Sequence, residues 1–475
     1  MPTRVIWLAC VLVVAVTLPP NPVHADIAPP ETPPGASLVP ANEATWVRMV
    51  SETVNLSISA DPASAERAIA RTRAVFTMRN LGRSEERMQV RFPLSFFDGS
   101  SDGRFEFPEI PSIAVRVDGK GVPTRREMQP PLEDQAAYRA RDELPWAVFD
   151  VSFPPSQDVV VEVTYTVRGY GYYPEAIFKY VLETGAGWND TIGSADIVAQ
   201  LPYDASESNV FVHESNVASQ STPGGDISGN EIRWHYEDLE PTWESNIEVI
   251  LIAPALWGSV LKETGTVTRN PKDGEAWGRL AKAYKEAARL PKGWLRDDPA
   301  GRDMLELSKN AYEKCLALLP EDALWHYGYA DLLWSEYYWG VRSSRKGDTQ
   351  GLLPRALTEL QTTLALDPDN SLAKDLLTEI SMAVDGAVEL NGDDYVFLAL
   401  TATPLPPTAY GEIPTETPWV AATDTITPNK PANVPTMRAS PEPTAGNPLC
   451  GGVALFLGLP VAGLILWRRR RIARL

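Results

Sequence analysis

The sequence is poor in cysteine and histidine, the residues on which disulfide scaffolds and most zinc sites depend. Its 475 residues include three cysteines, which lie in the N-terminal apolar run, in a predicted helix and at the start of the C-terminal apolar run. No disulfide framework can be read from this spacing. None of the histidines beyond residue 25 has a neighbour at metal-ligand spacing, and the H-E-x-x-H pattern is absent. We therefore expect no metal and no cofactor, and domains that are stabilised by their own cores.

Positive charge is also scarce in this chain. Lys and Arg number 43 against 62 Asp and Glu, so the formal net charge is −19. An exterior this acidic repels a phosphate backbone, which argues against nucleic acid as a partner. The same charge suits a well-solvated surface and cationic partners.

The common catalytic signatures are missing as well. Residues 99–103 fit the G-x-S-x-G pattern with Ser101 at its centre, but a nucleophile elbow needs a strand before it and a helix after it. Here another predicted strand follows, so a hairpin loop is the better interpretation. Residues 118–121 contain two glycines between strand ends and predict a turn, not a phosphate-binding loop. The sequence predicts no catalytic residue and no enzyme.

The N-terminus has the plan of a signal peptide. A positive start is followed by an apolar run over residues 5–18 and by a weak small-x-small pattern that ends at Ala25. We predict a cleaved signal peptide over residues 1–25, with an uncleaved anchor as the alternative. Residues 26–44 are rich in proline, which predicts a disordered lead-in.

A second apolar run lies near the C-terminus. Residues 448–467 contain no charged residue, and at about 1.5 Å per residue they span roughly 30 Å, the thickness of a bilayer core. An arginine cluster follows directly and favours the cytoplasmic side. We predict one transmembrane helix over residues 448–467, a cytoplasmic basic tail over residues 468–475, and an extracellular or periplasmic N-terminal bulk.

This tail resembles bacterial C-terminal sorting signals, which combine a short motif, a hydrophobic helix and an arginine cluster. The short motif here consists of Cys450, Gly451 and Gly452. The resemblance implies that the tail is cut and the product is anchored again. These three residues are therefore a candidate processing site.

A long region between the two ends shows the alternation of β-strands. Apolar residues recur at every second position over residues 88–96 and 159–167, and turn formers separate such segments. About eight or more segments with one apolar face predict an antiparallel β-sandwich domain over residues 45–255. The layout loosely resembles exported bacterial domains of unknown function, a resemblance that implies no mechanism.

The pattern becomes helical at about residue 262. The first helix of a tetratricopeptide repeat is matched by Trp277, Leu280, Ala281 and Tyr284. Residues 316–322 and 364–370 are similar to each other and match the ends of two second helices. Together these features resemble a short, irregular tetratricopeptide array, which we predict over residues 262–386 as an α-helical repeat domain. Residues 398–447 are rich in threonine and proline and predict a disordered stalk.

One predicted helix, around residues 325–339, carries many aromatic residues. Its Tyr327, Asp331, Trp334 and Tyr338 recur at spacings of four, three and four, so they share one face. In tetratricopeptide arrays, which this region resembles, that face lines the concave groove. Aromatic side chains supply rigid contact area, so these four are the predicted partner-binding residues. Two hairpin loops of the predicted array are lengthened, at residues 291–302 and 343–351. The alternative is that the four residues pack against a lengthened loop or the β domain.

These features predict a multidomain β + α protein of the cell envelope. We expect a membrane-anchored extracellular binding or scaffolding protein whose helical repeats hold a protein or peptide partner. An envelope polymer hydrolase with its site on the β domain is one alternative, and a purely structural envelope spacer is another. Nucleic acid is not an expected partner.

Overall fold

The computed structural model describes residues 39–40, 45–94, 109–129, 143–213, 220–290, 294–342, 349, 351–391 and 394–401. The predicted signal peptide, the transmembrane helix, the basic tail and the processing residues Cys450, Gly451 and Gly452 lie outside these ranges. So do nearly all of the predicted lead-in and stalk, and the loop at residues 99–103. Within the described part of the chain, no helix is both long enough and apolar enough to cross a membrane.

The first part of the described chain forms strands. They are β1 (Val39–Pro40), β2 (Val47–Asp61), β3 (Ser64–Asn80), β4 (Glu86–Pro93), β5 (Ile113–Val117), β6 (Lys120–Val122), β7 (Arg125–Gln129), β8 (Leu144–Phe153), β9 (Asp158–Arg168), β10 (Glu175–Tyr180), β11 (Ile192–Gln200), β12 (Asp226–Ser228), β13 (Glu231–Leu239) and β14 (Ile247–Ile252). Two short 3-10 helices interrupt them, Glu183–Gly187 and Trp243–Ser245.

The second part is helical. Its helices are α1 (Pro254–Arg269), α2 (Gly274–Ala287), α3 (Pro299–Leu318), α4 (Ala323–Arg342), α5 (Leu352–Leu366), α6 (Ser371–Ala383) and α7 (Leu398–Thr401). A small hairpin of β15 (Glu389–Asn391) and β16 (Asp394–Val396) precedes α7. The described chain is thus a mixed β and α protein in which large sheets are followed by helices.

The largest sheet has eight strands in the order β12-β13-β11-β2-β3-β9-β5-β6. Its side chains alternate as the sequence predicts, because successive residues of a strand point to opposite faces. On β9, Val161 and Val163 are buried, whereas Glu162 and Thr164 lie on the outward face. One pairing differs from the prediction of antiparallel strands: within the described residues, β2 and β11 pair in parallel. These two strands are far apart in the sequence, so no hairpin turn dictates their relative direction.

A four-stranded sheet, ordered β1-β4-β8-β7, shares one hydrophobic core with the large sheet. Phe92 of β4 contacts Tyr165 of β9, with 5.4 Å between the ring centres. Phe153 of β8 contacts Trp188 at 6.0 Å. The apolar faces of the two sheets therefore bury each other, and the outward face of the large sheet is left polar.

The strands pass directly into the helices. α1 begins at Pro254, two residues after β14 ends, and proline is favoured at the first position of a helix. The predicted helical start at residue 262 therefore lies in the middle of α1. Ile250 and Ile252 belong to the same buried cluster as Trp257 of α1 and the helices beyond it. The β part and the helical part consequently share a second hydrophobic core.

A buried arginine joins the two parts as well. Arg296, between α2 and α3, is 1 % exposed and pairs with Asp298 at 2.9 Å. It also donates hydrogen bonds to the backbone carbonyls of Ser208 at 3.0 Å and Glu207 at 3.2 Å. These carbonyls belong to the β part, so the arginine fixes the start of α3 against it.

Within the helical part, α2 packs on α3, and α4 packs on α5. Side-chain caps mark several helix starts: Asp273 accepts from Ala276 N–H, and Asn370 accepts from Ala373 N–H. Gly278 of α2 lies directly against the indole of Trp325 in α4, where an added Cβ would collide with the ring. The close approach of these two helices therefore requires glycine at position 278.

Candidate functional site

The four residues predicted to bind a partner do lie along one side of α4. Tyr327, Asp331 and Tyr338 are half-buried, and Trp334 is 2 % exposed. This side of α4 faces α2 on one flank and α6 on the other, as the hydrogen bonds of Asp331 and Trp334 show. The prediction of partner contact for these residues stays a prediction.

Asp331 is the centre of an ion network between α4 and α2. Its Oδ2 lies 2.9 Å from Lys285 Nζ and 2.6 Å from Arg289 Nη2. Lys285, which is 6 % exposed, also donates to the carbonyl of Gly328 at 3.1 Å, and Arg289 donates to Ser335 Oγ at 3.2 Å. Burial alone raises the pKa of a carboxyl, but the charges of Lys285 and Arg289 outweigh it and hold the pKa of Asp331 below its usual value. The carboxylate thus stays ionised and fixes both cations.

Trp334 connects α4 to α6 from the inside. Its indole N–H donates to Glu379 Oε1 at 2.9 Å, and its side chain belongs to the buried cluster of the helical part. A buried indole that has found an acceptor is typical of a packing residue. For this one side chain, the burial favours the packing alternative over direct contact with a partner.

Five aromatic rings form a continuous cluster at the C-terminal end of α4. Ring centres lie 4.9 Å apart for Trp294 and Trp339, 5.4 Å for Trp339 and Tyr338, 5.4 Å for Tyr338 and Trp334, and 5.7 Å for Trp334 and Tyr337. Trp294 is 37 % exposed, and the three rings other than Trp334 and Trp294 are half-buried. We call these five residues the aromatic cluster. Trp334 places one part of the cluster in the buried core, and Trp294 lies at the surface.

Sequence reasoning missed Trp294 as a member of this cluster. The residue lies between α2 and α3, where no helical period assigns it to a face. Its backbone carbonyl accepts a hydrogen bond from Leu290 N–H, which fixes the ring beside Trp339. The only signal in the sequence is a tryptophan in a lengthened hairpin loop, which does not say which helix it meets.

His326, on the same helix, forms a buried pair with Glu359 of α5. Its Nδ1 lies 2.6 Å from Glu359 Oε2, and its Nε2 lies 2.9 Å from the carbonyl of Pro320. Burial alone lowers the pKa of an imidazole, but these two acceptors outweigh it and hold the pKa of His326 above its usual value. Both ring nitrogens thus face an oxygen acceptor, so the pair joins α4 to α5 through the protonated form of the ring.

The turn predicted at residues 118–121 and the histidine at position 235 both lie in the described part of the chain. Asp118 and Gly119 have positive φ and form the turn between β5 and β6, which pair as a hairpin. His235, on the outward side of β13, contacts Asp196 at 2.9 Å and Glu237 at 3.0 Å. Within the described residues, no group of three or more His, Cys, Asp or Glu side chains is placed to hold a metal ion.

Comparisons with known proteins add little to this geometry. No family model matches the sequence, and no curated protein matches it. Among solved structures, the chain is similar to a candidate nutrient binding protein from Legionella pneumophila, with 14 % identity, a TM-score of 0.36, and coverage of 58 % of this chain and 97 % of that one. It is also similar to an M1 zinc metallopeptidase from Deinococcus radiodurans, with 9 % identity, a TM-score of 0.23, and coverage of 69 % and 77 %. At such low TM-scores, neither likeness identifies the fold or the function of this chain.

Proposed function

We propose that this chain is a membrane-anchored extracellular binding or scaffolding protein whose helical part holds a protein segment against the aromatic cluster. In this proposal, the β part is a β-sandwich and the helical part is a short tetratricopeptide-like array. The signal peptide, the Thr/Pro-rich stalk and the transmembrane helix predicted from the sequence supply export and anchoring. The partner is a protein or peptide of the cell envelope, with no part played by nucleic acid.

The helix pairs support the repeat part of this proposal. In the proposed array, α2 with α3 and α4 with α5 are two successive hairpins, and α6 is the first helix of a third. The internal repeat falls at the ends of α3 and α5, which are the second helices of the two hairpins. The contact of Gly278 with Trp325 brings the first helices of the two hairpins together, as stacking of repeats requires.

The aromatic cluster is the observation that carries the binding proposal. Interaction surfaces are enriched in tryptophan and tyrosine because these rings bury large areas and lose little side-chain entropy. Here one member is locked in the core, and the other four extend from it to the surface. A surface built in this way is largely preorganised, so a partner need not order it on binding.

The fixed junction with the β part supports a scaffolding role. Arg296 and the shared core hold the first hairpin against the strands, so a segment bound to the helices would keep a set position relative to the β part. Domains joined by a flexible linker usually move relative to each other. Such motion would not hold a bound segment in a set position.

Site-specific photo-crosslinking in cells that make the full chain tests this proposal. Two exposed tryptophans offer a matched pair of positions: Trp294 in the aromatic cluster, and Trp46 on the β part, which is 64 % exposed. A benzophenone side chain at position 294 should give a discrete protein adduct, and the same group at position 46 should not. The adduct at 294 should be lost with Tyr338→Ala. No adduct at 294, or the same adducts at both positions, would contradict the proposal.

The proposal includes the expectation that the chain is not an enzyme. The alternative hypothesis is an envelope polymer hydrolase. A hydrolase site on the β part would release soluble fragments from the polymer. Incubation of the purified full chain with that polymer should release none above the level of a heat-denatured sample. Measurable release of soluble fragments would contradict the binding proposal and support the hydrolase hypothesis.

A further inference from the structure

An open cleft lies on the outward face of the eight-stranded sheet, remote in sequence from the aromatic cluster. Its volume is about 680 Å³, and its floor consists of side chains from β2, β3 and β9. One wall is formed by the chain at residues 111–114, where β5 begins. A cleft of this size accommodates a ligand of a few sugar units, since small-molecule sites usually measure about 300–1,000 Å³.

The strand register arranges the floor in two rows with an arginine in the middle of each. Arg71 lies opposite Ser57 on β2 and opposite Thr166 on β9. Arg73 lies opposite Asn55 and Thr164 on the same two strands. Directly opposite side chains on one face of a sheet are about 5 Å apart at Cβ, so each guanidinium is flanked by short polar groups that donate and accept hydrogen bonds.

The charge of the cleft is opposite to that of the chain as a whole. The chain carries a net charge of −19, yet no Asp or Glu is among the described residues that line the cleft. Arg73 pairs with Glu162, just outside the lining, at 2.5 Å. Arg71 is exposed and has no ion-pair or hydrogen-bond partner among the described side chains. Among the described residues, the cleft thus offers one guanidinium that no acidic side chain pairs with.

The surroundings of Arg71 restrict the kind of anion that fits. β2 and β3 have a paired strand on each side, so a peptide cannot bind there by adding a strand to a sheet edge. The floor presents several hydroxyl groups and the amide of Asn55, and the wall at residues 111–114 adds apolar surface. Such a mixture suits a sugar, whose ring carries both hydroxyl groups and apolar C–H faces. A planar guanidinium matches a carboxylate through two parallel hydrogen bonds.

We propose that this cleft binds a carboxylate-bearing oligosaccharide, with Arg71 contacting the carboxylate and the rows beside the arginines contacting sugar hydroxyls. Arg73, which Glu162 already orients, completes the positive end of the site. This gives the β part a ligand of its own, distinct from the protein segment proposed for the helices. The two proposals can be tested independently, because they concern different residues and different ligands.

Calorimetric titration of the purified full chain tests the cleft. The probes are a tetramer of galacturonic acid, the neutral tetramer of galactose and a tetramer of glutamate. The uronate should bind, and Arg71→Ala should weaken its binding about tenfold or more, because a charged hydrogen-bonded contact is lost. Arg67→Ala is the matched control: Arg67 is exposed on β3, four residues away, and does not line the cleft. It should leave the affinity unchanged.

Three results would overturn the proposal. The first is an absence of uronate binding by a chain whose thermal unfolding shows that it is folded. The second is equal weakening by Arg67→Ala and Arg71→Ala, which would indicate a general attraction between charges. The third is equal affinity for the glutamate tetramer, which would indicate an acidic peptide site. None of these outcomes affects the crosslinking test of the aromatic cluster.

Discussion

The guanidinium of Arg296 lies 4.2 Å from the ring centre of Phe211, so a cation of the helical part sits directly over an aromatic ring of the β part. The same guanidinium is paired with Asp298, whose pKa lies below its usual value because the charge and hydrogen bonds of Arg296 outweigh the effect of burial. Asp298 in turn caps α3 by accepting from Gly301 N–H at 2.9 Å. One ion pair therefore orients the first hairpin, caps its second helix and joins it to the strands.

Removal of Arg296 should destabilise the protein strongly. Arg296→Ala leaves Asp298 buried without its counter-ion and the carbonyls of Glu207 and Ser208 without a donor. The expected loss in free energy of unfolding is about 3 kcal/mol or more. Urea denaturation of the variant measures it. Arg302→Ala is the control, because Arg302 is exposed and bonds only the carbonyl of Asp297 among the described residues, and it should change stability by less than about 0.5 kcal/mol.

The aromatic cluster should divide into a core member and surface members. Trp334→Ala removes a buried ring and leaves Glu379 without the indole donor, so it should cost about 3–5 kcal/mol of stability. Tyr338→Ala removes a half-buried ring and should cost clearly less. Thermal unfolding of both variants measures the difference. A Trp334→Ala protein with an unchanged melting temperature would show that the ring is not part of the core.

The limits of sequence reasoning are visible in particular residues. The alternation over residues 159–167 predicts which face of β9 is buried, because the period of a strand is fixed by its geometry. The same kind of argument predicts that the four residues on α4 share one helix face. The parallel pairing of β2 with β11 and the position of Trp294 beside Trp339 follow from tertiary packing. No local period encodes such contacts, so the sequence alone could not predict them.

The cleft on the large sheet could not be predicted from the sequence for a related reason. In the sequence, Arg71 and Arg73 have the pattern of ordinary solvent-facing residues of one strand. Their proposed role depends on which strands flank β3 and on the chain that forms the wall at residues 111–114. Strand order in a large sheet is a property of the whole fold, whereas the sequence reports one strand at a time.

The buried pair of His326 and Glu359 should make stability depend on pH. The folded-state pKa of His326 is raised above its usual value, so the folded protein holds this proton more tightly than the unfolded chain does. The stabilisation is fully present below the unfolded pKa of about 6.5, and it is lost as the pH rises through the higher folded pKa. His326→Asn should remove this dependence.

The measurement is the free energy of unfolding of the two proteins at several pH values from weakly acidic to alkaline. The advantage of the wild type over His326→Asn should be largest at the acidic end and should shrink as the pH rises. A constant difference across the range would show that the imidazole does not gain a proton on folding. NMR titration of the His326 ring gives the folded pKa directly and serves as an independent check.

Glycine at two helical positions should respond to alanine in opposite ways. Gly278 of α2 faces the indole of Trp325, and an alanine there would force the first helices of the two hairpins apart or displace the ring. We expect Gly278→Ala to destabilise the protein by about 1–3 kcal/mol, the usual cost of overpacking.

Gly265 of α1 has open space where a Cβ would stand. Gly265→Ala should therefore stabilise the protein by up to about 1 kcal/mol, because alanine is the better helix former. Both substitutions add one methyl group to a helix, so the sign of the difference reports packing alone. If both variants were stabilised, α2 and α4 would not be in the close contact on which the proposed stacking of repeats depends.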